Sequence, residues 1–190
     1  MVGAIDDVVG AGRWQRRGGY GSFPIRFPSE ADPGDAGWHI DGSFEVNDDA
    51  PPWNYGVNFR SHGRALLVLL LYSDVGVDDA PTRIRVGSHR DVAPALLEFG
   101  EGGTPFTNAV PQRVLEASGP VVDAVGEAGD AYLCHPFLVH SASWPHRGSQ
   151  PRFMGQPAFF HAAASDGFNY GRADPSPCEL AVRDVLTEPA

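Results

Sequence analysis

Apolar positions in this chain come in short bursts, broken by glycine, proline and charge. Ile5, Val8 and Val9 recur at helical spacing and predict a helix over 3–11, closed by Gly10 and Gly12. Residues 20–27 (YGSFPIRF) predict a strand, at a sheet edge because of Pro24. Residues 37–45 (GWHIDGSFE) alternate and predict a second strand, and 54–60 a third. Residues 64–73 (RALLVLLLYS) form a continuous apolar run, as expected of a strand buried on both faces. Within 82–87 (TRIRVG), Thr82, Ile84 and Val86 share one face, and Arg83 and Arg85 the other. Ser88 is the expected N-cap of a helix from His89 to Phe99, with Asp91 near its positive end. Residues 100–120 read as loop, and 121–125, 131–134, 137–140 and 152–161 as four further short strands. Ser176-Pro177-Cys178-Glu179 is a capping box with proline at the first helical position, and predicts a last helix to about Leu186. No stretch resembles an interdomain linker. The pattern implies one domain over 1–190, mainly β, as a jelly roll or cupin-like double-stranded β-helix with a few peripheral helices.

Composition sharpens this picture. The 23 glycines and 17 prolines suit many short strands joined by turns. A net charge of −10 repels phosphate backbones and anionic lipid heads, so neither nucleic acid nor a membrane surface is an expected partner. Two cysteines, Cys134 and Cys178, make no disulfide framework. The most apolar run, 65–72, is too short to span a bilayer, and the first residues lack the pattern of a signal peptide. A cytoplasmic protein with reduced thiols is expected, of unknown oligomeric state.

The candidate chemistry starts at His39-Ile40-Asp41. Residues two apart on an extended chain project from one face, so His39 and Asp41 would offer an imidazole and a carboxylate together. His140 ends an apolar stretch that follows Gly129-Asp130, a tight turn and strand that would deliver a second imidazole. Two imidazoles and one carboxylate leave open positions on a six-coordinate Fe(II), the facial arrangement of non-haem iron oxygenases. Arg152 opens the next strand, and arginine suits a bidentate grip on a carboxylate. The same donor set could also hold zinc in a cupin-like hydrolase or isomerase, or belong to a jelly roll that binds a small molecule without turnover.

Three stretches together carry a family resemblance: GWHIDGSF (37–44), LLVLLLYSDVGVDDAPTRIRVGSHRDV (66–92) and GDAYLCHPFLVHSASWPHRGSQPRFMGQPAFF (129–160). They resemble the phytanoyl-CoA dioxygenase family of Fe(II)/2-oxoglutarate oxygenases, over a core from about residue 20 to 161. The resemblance implies that His39, Asp41 and His140 bind Fe(II), that Arg152 pairs with the distal carboxylate of 2-oxoglutarate, and that Thr82 assists. It implies O2-dependent hydroxylation of a small, secondary-metabolite or lipid-like molecule, releasing succinate and CO2. The carboxylate of Asp41 favours hydroxylation or a related oxidation over halogenation. Val86 stands where the family usually has proline, and the spacing from His140 to Arg152 is about one residue longer than usual. Arg147 is therefore the alternative anchor. Less chain than usual precedes the core, which points to a truncated start or a small lid. Arg26, Phe44, Trp53 and Trp144 are the candidate substrate contacts, with Trp14 and Phe159 either pocket wall or core.

Overall fold

The apolar run after Arg64 forms the longest strand, and the other strands are arranged around it. The computed structural model describes residues 1–16, 19–45, 55–162 and 167–187. Its first elements are α1 (Val2–Val9), β1 (Ile25–Arg26), β2 (Phe44–Glu45), β3 (Tyr55–Val57), β4 (Arg64–Leu71), β5 (Arg83–Arg85) and α2 (His89–Leu97). There follow β6 (Thr104–Pro105), a 3-10 turn (Phe106–Asn108), α3 (Gln112–Ala117), β7 (Val121–Asp123), β8 (Ala131–Cys134), β9 (His140–Ser141), β10 (Arg152–Gly155), β11 (Ala158–Phe160) and α4 (Pro177–Thr187). The described residues are thus mainly β with few helices.

Ala65 to Leu69 of β4 are at most 1% exposed, as the unbroken apolar run requires of a strand covered on both faces. β8 pairs with one edge of β4, while β10 and β11 pair in succession with the other. β1 lies beyond β10, and two three-stranded sheets, β2-β3-β6 and β7-β5-β9, complete the framework. β5 alternates as predicted at Ile84, 7% exposed, between Arg83 and Arg85, whose guanidinium groups lie 5.0 and 4.8 Å from the Trp38 ring. Val86 departs from that face and is 44% exposed.

Several elements differ from the sequence expectation. The strand expected over 20–27 contracts to Ile25–Arg26, and 37–45 contracts to Phe44–Glu45. The strand expected over 152–161 breaks at Gln156-Pro157, where Pro157 has no N–H for the ladder. The loop expected over 100–120 contains β6, the 3-10 turn and α3. Ser88 does not cap α2. Its buried hydroxyl instead accepts the Val139 N–H at 2.8 Å, tying the start of α2 to the segment before His140. The capping box of α4 forms as predicted: Glu179 Oε2 accepts the Ser176 N–H at 2.8 Å, and Ser176 Oγ accepts the Glu179 N–H at 3.3 Å.

Val182 of α4 packs with Val92 and Leu96 of α2 in one core cluster that also holds Ile40 and Val139, neighbours of the candidate metal ligands. Both cysteines are buried and unpaired, and burial pushes each thiol up to about 12. Among the described residues no helix is long and apolar enough to cross a membrane.

Candidate metal centre

His39 and His140 face each other across an isolated antiparallel bridge. The His39 N–H donates to the His140 carbonyl at 3.0 Å, and the His140 N–H to the His39 carbonyl at 2.9 Å. This pairing brings the two imidazoles to a centroid separation of 4.5 Å. Asp41, two residues beyond His39 on the same side, puts Oδ1 at 3.9 Å from His39 Nε2 and 3.5 Å from His140 Nε2. One ligand atom from each of the three residues falls within 4.8 Å of the others.

Both rings are oriented by the backbone. His39 Nδ1 lies 2.8 Å from the Gly37 carbonyl, and His140 Nδ1 lies 3.0 Å from the Leu138 carbonyl. A carbonyl only accepts, so Nδ1 carries the proton and Nε2 keeps a lone pair aimed at the centre. His140 is 3% exposed, and its Nε2 has no hydrogen-bond partner. Burial, and then the neighbouring His140, lower the His39 pKa and favour its neutral, ligating form.

Asp41 is held by residues that sequence reasoning did not single out. Arg64 donates to Asp41 Oδ2 at 2.7 Å and to the Gly42 carbonyl at 3.0 Å, and Gln156 Nε2 donates to Oδ2 at 3.2 Å. Oδ2 is thereby occupied and Oδ1 is left to face the imidazoles. Burial would raise the Asp41 carboxyl, but His140 and His39 in their protonated forms, together with the fixed charge of Arg64, hold it well below the usual carboxylate range. The only sequence hint of Arg64 is a charge at the head of an otherwise apolar strand. Gln156 sits at the break between β10 and β11, which no periodicity foretells. Gly42 is required by close approach, since a Cβ there would overlap Tyr55.

Two cavities meet at this centre, and His39 and Gln156 line both. The smaller, about 220 Å³, is lined by Arg152, Thr82, Arg26, Asp35 and Met154 together with both histidines. Arg152 is 3% exposed and donates to the Ala80 carbonyl, while its Nε has no partner. Burial, and then the charge of Arg26, lower its pKa to about 10, so it remains a cation at neutral pH. Thr82 is buried and makes one weak contact, to Met154 Sδ at 3.7 Å. The larger cavity, about 530 Å³, is lined by Tyr55, Phe106, Ser22, Asp41 and Arg64, among others.

Other candidates lie elsewhere. Arg147, the alternative anchor, is exposed and pairs with Glu30 at 3.3 Å. Trp144 is 44% exposed and lines two surface recesses that contain none of the three metal-binding candidates. Phe44 packs on the His62 ring at 5.2 Å and lines neither cavity at the centre. Trp14 and Phe159 pack edge to face within the core. Trp53 is outside the described residues.

Comparison with known proteins bears on this geometry. A fold similarity links the chain to ThoJ, a non-heme monooxygenase solved as a nickel complex, with a TM-score of 0.50 and 16% identity over 84% of this chain and 49% of that one. AviO1 from Streptomyces viridochromogenes Tue57 follows at a TM-score of 0.45 and 18% identity, over 82% of this chain and 51% of that one. The chain therefore spans about half the length of these solved structures. No curated protein matches the sequence. The family profile described as Phytanoyl-CoA dioxygenase (PhyH) matches residues 6–154, a stretch that runs from α1 into β10 and takes in all three residues of the triad and Arg152. The chain belongs to the phytanoyl-CoA dioxygenase (PhyH) family.

Proposed function

We propose that this chain is an Fe(II)- and 2-oxoglutarate-dependent dioxygenase that hydroxylates a small molecule, built as one domain over 1–190 on a double-stranded β-helix. The observation that carries this reading is the convergence of two backbone-oriented imidazoles and one carboxylate oxygen at the end of a small cavity lined by a buried arginine that makes no ion pair among the described residues.

The donor set fits the metal. The partnerless Nε2 of buried His140 is a lone pair that a cation would satisfy. Two neutral nitrogens and one carboxylate oxygen suit Fe(II), and a three-residue set leaves positions free for a chelating co-substrate and O2. When bound, Fe(II) would supply the activation of O2, so that a substrate C–H, 2-oxoglutarate and O2 would give the hydroxylated product, succinate and CO2.

The remaining work falls to side chains of this chain. The carbonyls of Gly37 and Leu138 fix both imidazole tautomers. Arg64 and Gln156 hold Asp41 so that one oxygen serves as donor. Arg152 neutralises the distal carboxylate of 2-oxoglutarate, and Thr82 exchanges its weak sulfur contact for that carboxylate. Tyr55 and Phe106 offer an apolar wall to the substrate in the larger cavity.

Anaerobic addition of 2-oxoglutarate to the Fe(II)-loaded protein should produce a weak visible charge-transfer band, and succinate should form once O2 and a substrate are supplied. A protein that binds Zn(II) tightly and gives neither band nor succinate would instead be the cupin-like hydrolase or isomerase that the same donor set allows.

A further inference from the structure

The antiparallel register of β1 on β10 places Arg26 directly opposite Arg152. Side chains paired in this way stand about 5 Å apart at Cβ, and like charges in that position destabilise a ladder. Both residues nonetheless line the same 220 Å³ cavity. Among the described residues one carboxylate lines it: Asp35, whose two oxygens accept from one Arg26 terminal nitrogen at 2.9 Å each. The Asp35 side chain is 54% exposed and that of Arg26 is 16% exposed. Arg152 has no ion pair among the described residues, and the Nε atoms of both arginines lack partners. Two cations thus face the cavity against one solvent-exposed carboxylate.

We propose that Arg26 is a second contact for the distal carboxylate of the dicarboxylate co-substrate, and that Asp35 is its internal competitor, releasing Arg26 when the dianion enters. The inference rests on the co-substrate role of this cavity. It explains why two guanidinium groups share one face: the incoming carboxylate supplies the charge the fold omits. Asp35 then acts through Arg26, so its removal strengthens dianion binding, whereas removal of Arg26 weakens it.

The test is an equilibrium titration of the Fe(II)-loaded, oxygen-free protein with 2-oxoglutarate, read by the charge-transfer band and by calorimetry. Arg26→Gln should raise the Kd about 10-fold, the loss of one partly exposed charge-assisted contact. Asp35→Asn, an isosteric change at an exposed side chain, should lower it about 3-fold or more. In the Arg26→Gln background, Asp35→Asn should change the Kd by less than about 2-fold. Equal Kd values for the wild type and both single variants would overturn the role of Arg26 and leave the co-substrate reading intact. Weaker binding by Asp35→Asn would overturn the competitor role. Neither band nor heat from the wild type itself would remove the co-substrate reading, and this inference with it.

Discussion

Replacing Arg152 with leucine separates a binding role from a structural one, because the two predict opposite effects. In the binding role, the guanidinium donates two charge-assisted hydrogen bonds to a carboxylate. Each contributes about 1.5–3 kcal/mol, so losing both costs about 3–6 kcal/mol, or roughly a hundred- to ten-thousand-fold in Kd. The effect on the protein without anion runs the other way. Arg152 is 3% exposed, has no carboxylate partner, and burial together with Arg26 pulls its pKa down to about 10. Asp35 and Asp79 offset that burial only in part, and a buried charge without a contacting partner costs several kcal/mol. Leucine removes that cost and relieves the repulsion with Arg26. Against this, the Ala80 carbonyl loses its donor, a penalty of about 1–3 kcal/mol. Thermal stability without anion is therefore expected to hold or rise, while 2-oxoglutarate affinity collapses. Anaerobic titration gives the first quantity and calorimetric melting the second. An unchanged Kd would refute the anchor. A Tm lowered by many degrees would make Arg152 a structural residue and refute the claim that its charge awaits an external partner.

Other expectations follow from the same geometry. Alanine at His39, Asp41 or His140 should weaken Fe(II) binding by at least about 100-fold, the upper end of what loss of a supporting partner costs, and abolish succinate release. Metal analysis after gel filtration checks this, and full metal content in the His140 variant would refute the triad. Acid should destabilise the fold through His135 and His161, which burial pushes down to about 3 and about 4. The unfolded chain takes up these protons near pH 6.5 and the folded one does not, so stability is complete above that pH. It falls by up to about 1.4 kcal/mol per pH unit per histidine as pH drops towards 4. Urea midpoints at pH 7 and pH 5 measure this, and His161→Asn should flatten the slope. An identical slope in that variant would remove His161 from the account. Ser88→Ala strands the buried Val139 N–H and should cost about 1–3 kcal/mol, whereas Ser176→Ala loses a helix cap worth about 1 kcal/mol. Denaturant titration ranks the two, and a neutral Ser88→Ala would show that another group can satisfy Val139.

Features that depend on near neighbours in sequence were legible from the chain alone. The burial of β4 follows from an unbroken apolar run, and the cap of α4 from residues three apart. The common side of His39 and Asp41 follows from two-residue alternation, which here needs only a locally extended chain and not the full strand expected over 37–45. The Gly129-Asp130 turn with its strand to His140, and the strand opened by Arg152, offered those two residues as companions of the pair, and the family motifs pointed to the same residues. Tertiary structure decided whatever depends on pairing between distant segments. Arg64 and Gln156 meet Asp41 only because β4 and the interrupted β10–β11 edge run beside it. Arg26 faces Arg152 only because β1 settles on β10 in one register, and a shift of one residue would turn it to the other face. Ser88 looked like a cap and became a tie to Val139 because a distant backbone N–H, invisible to local pattern, needed an acceptor. Periodicity fixes which way a side chain leaves its own strand; what it meets there is set by the free energy of packing strands from remote parts of the chain.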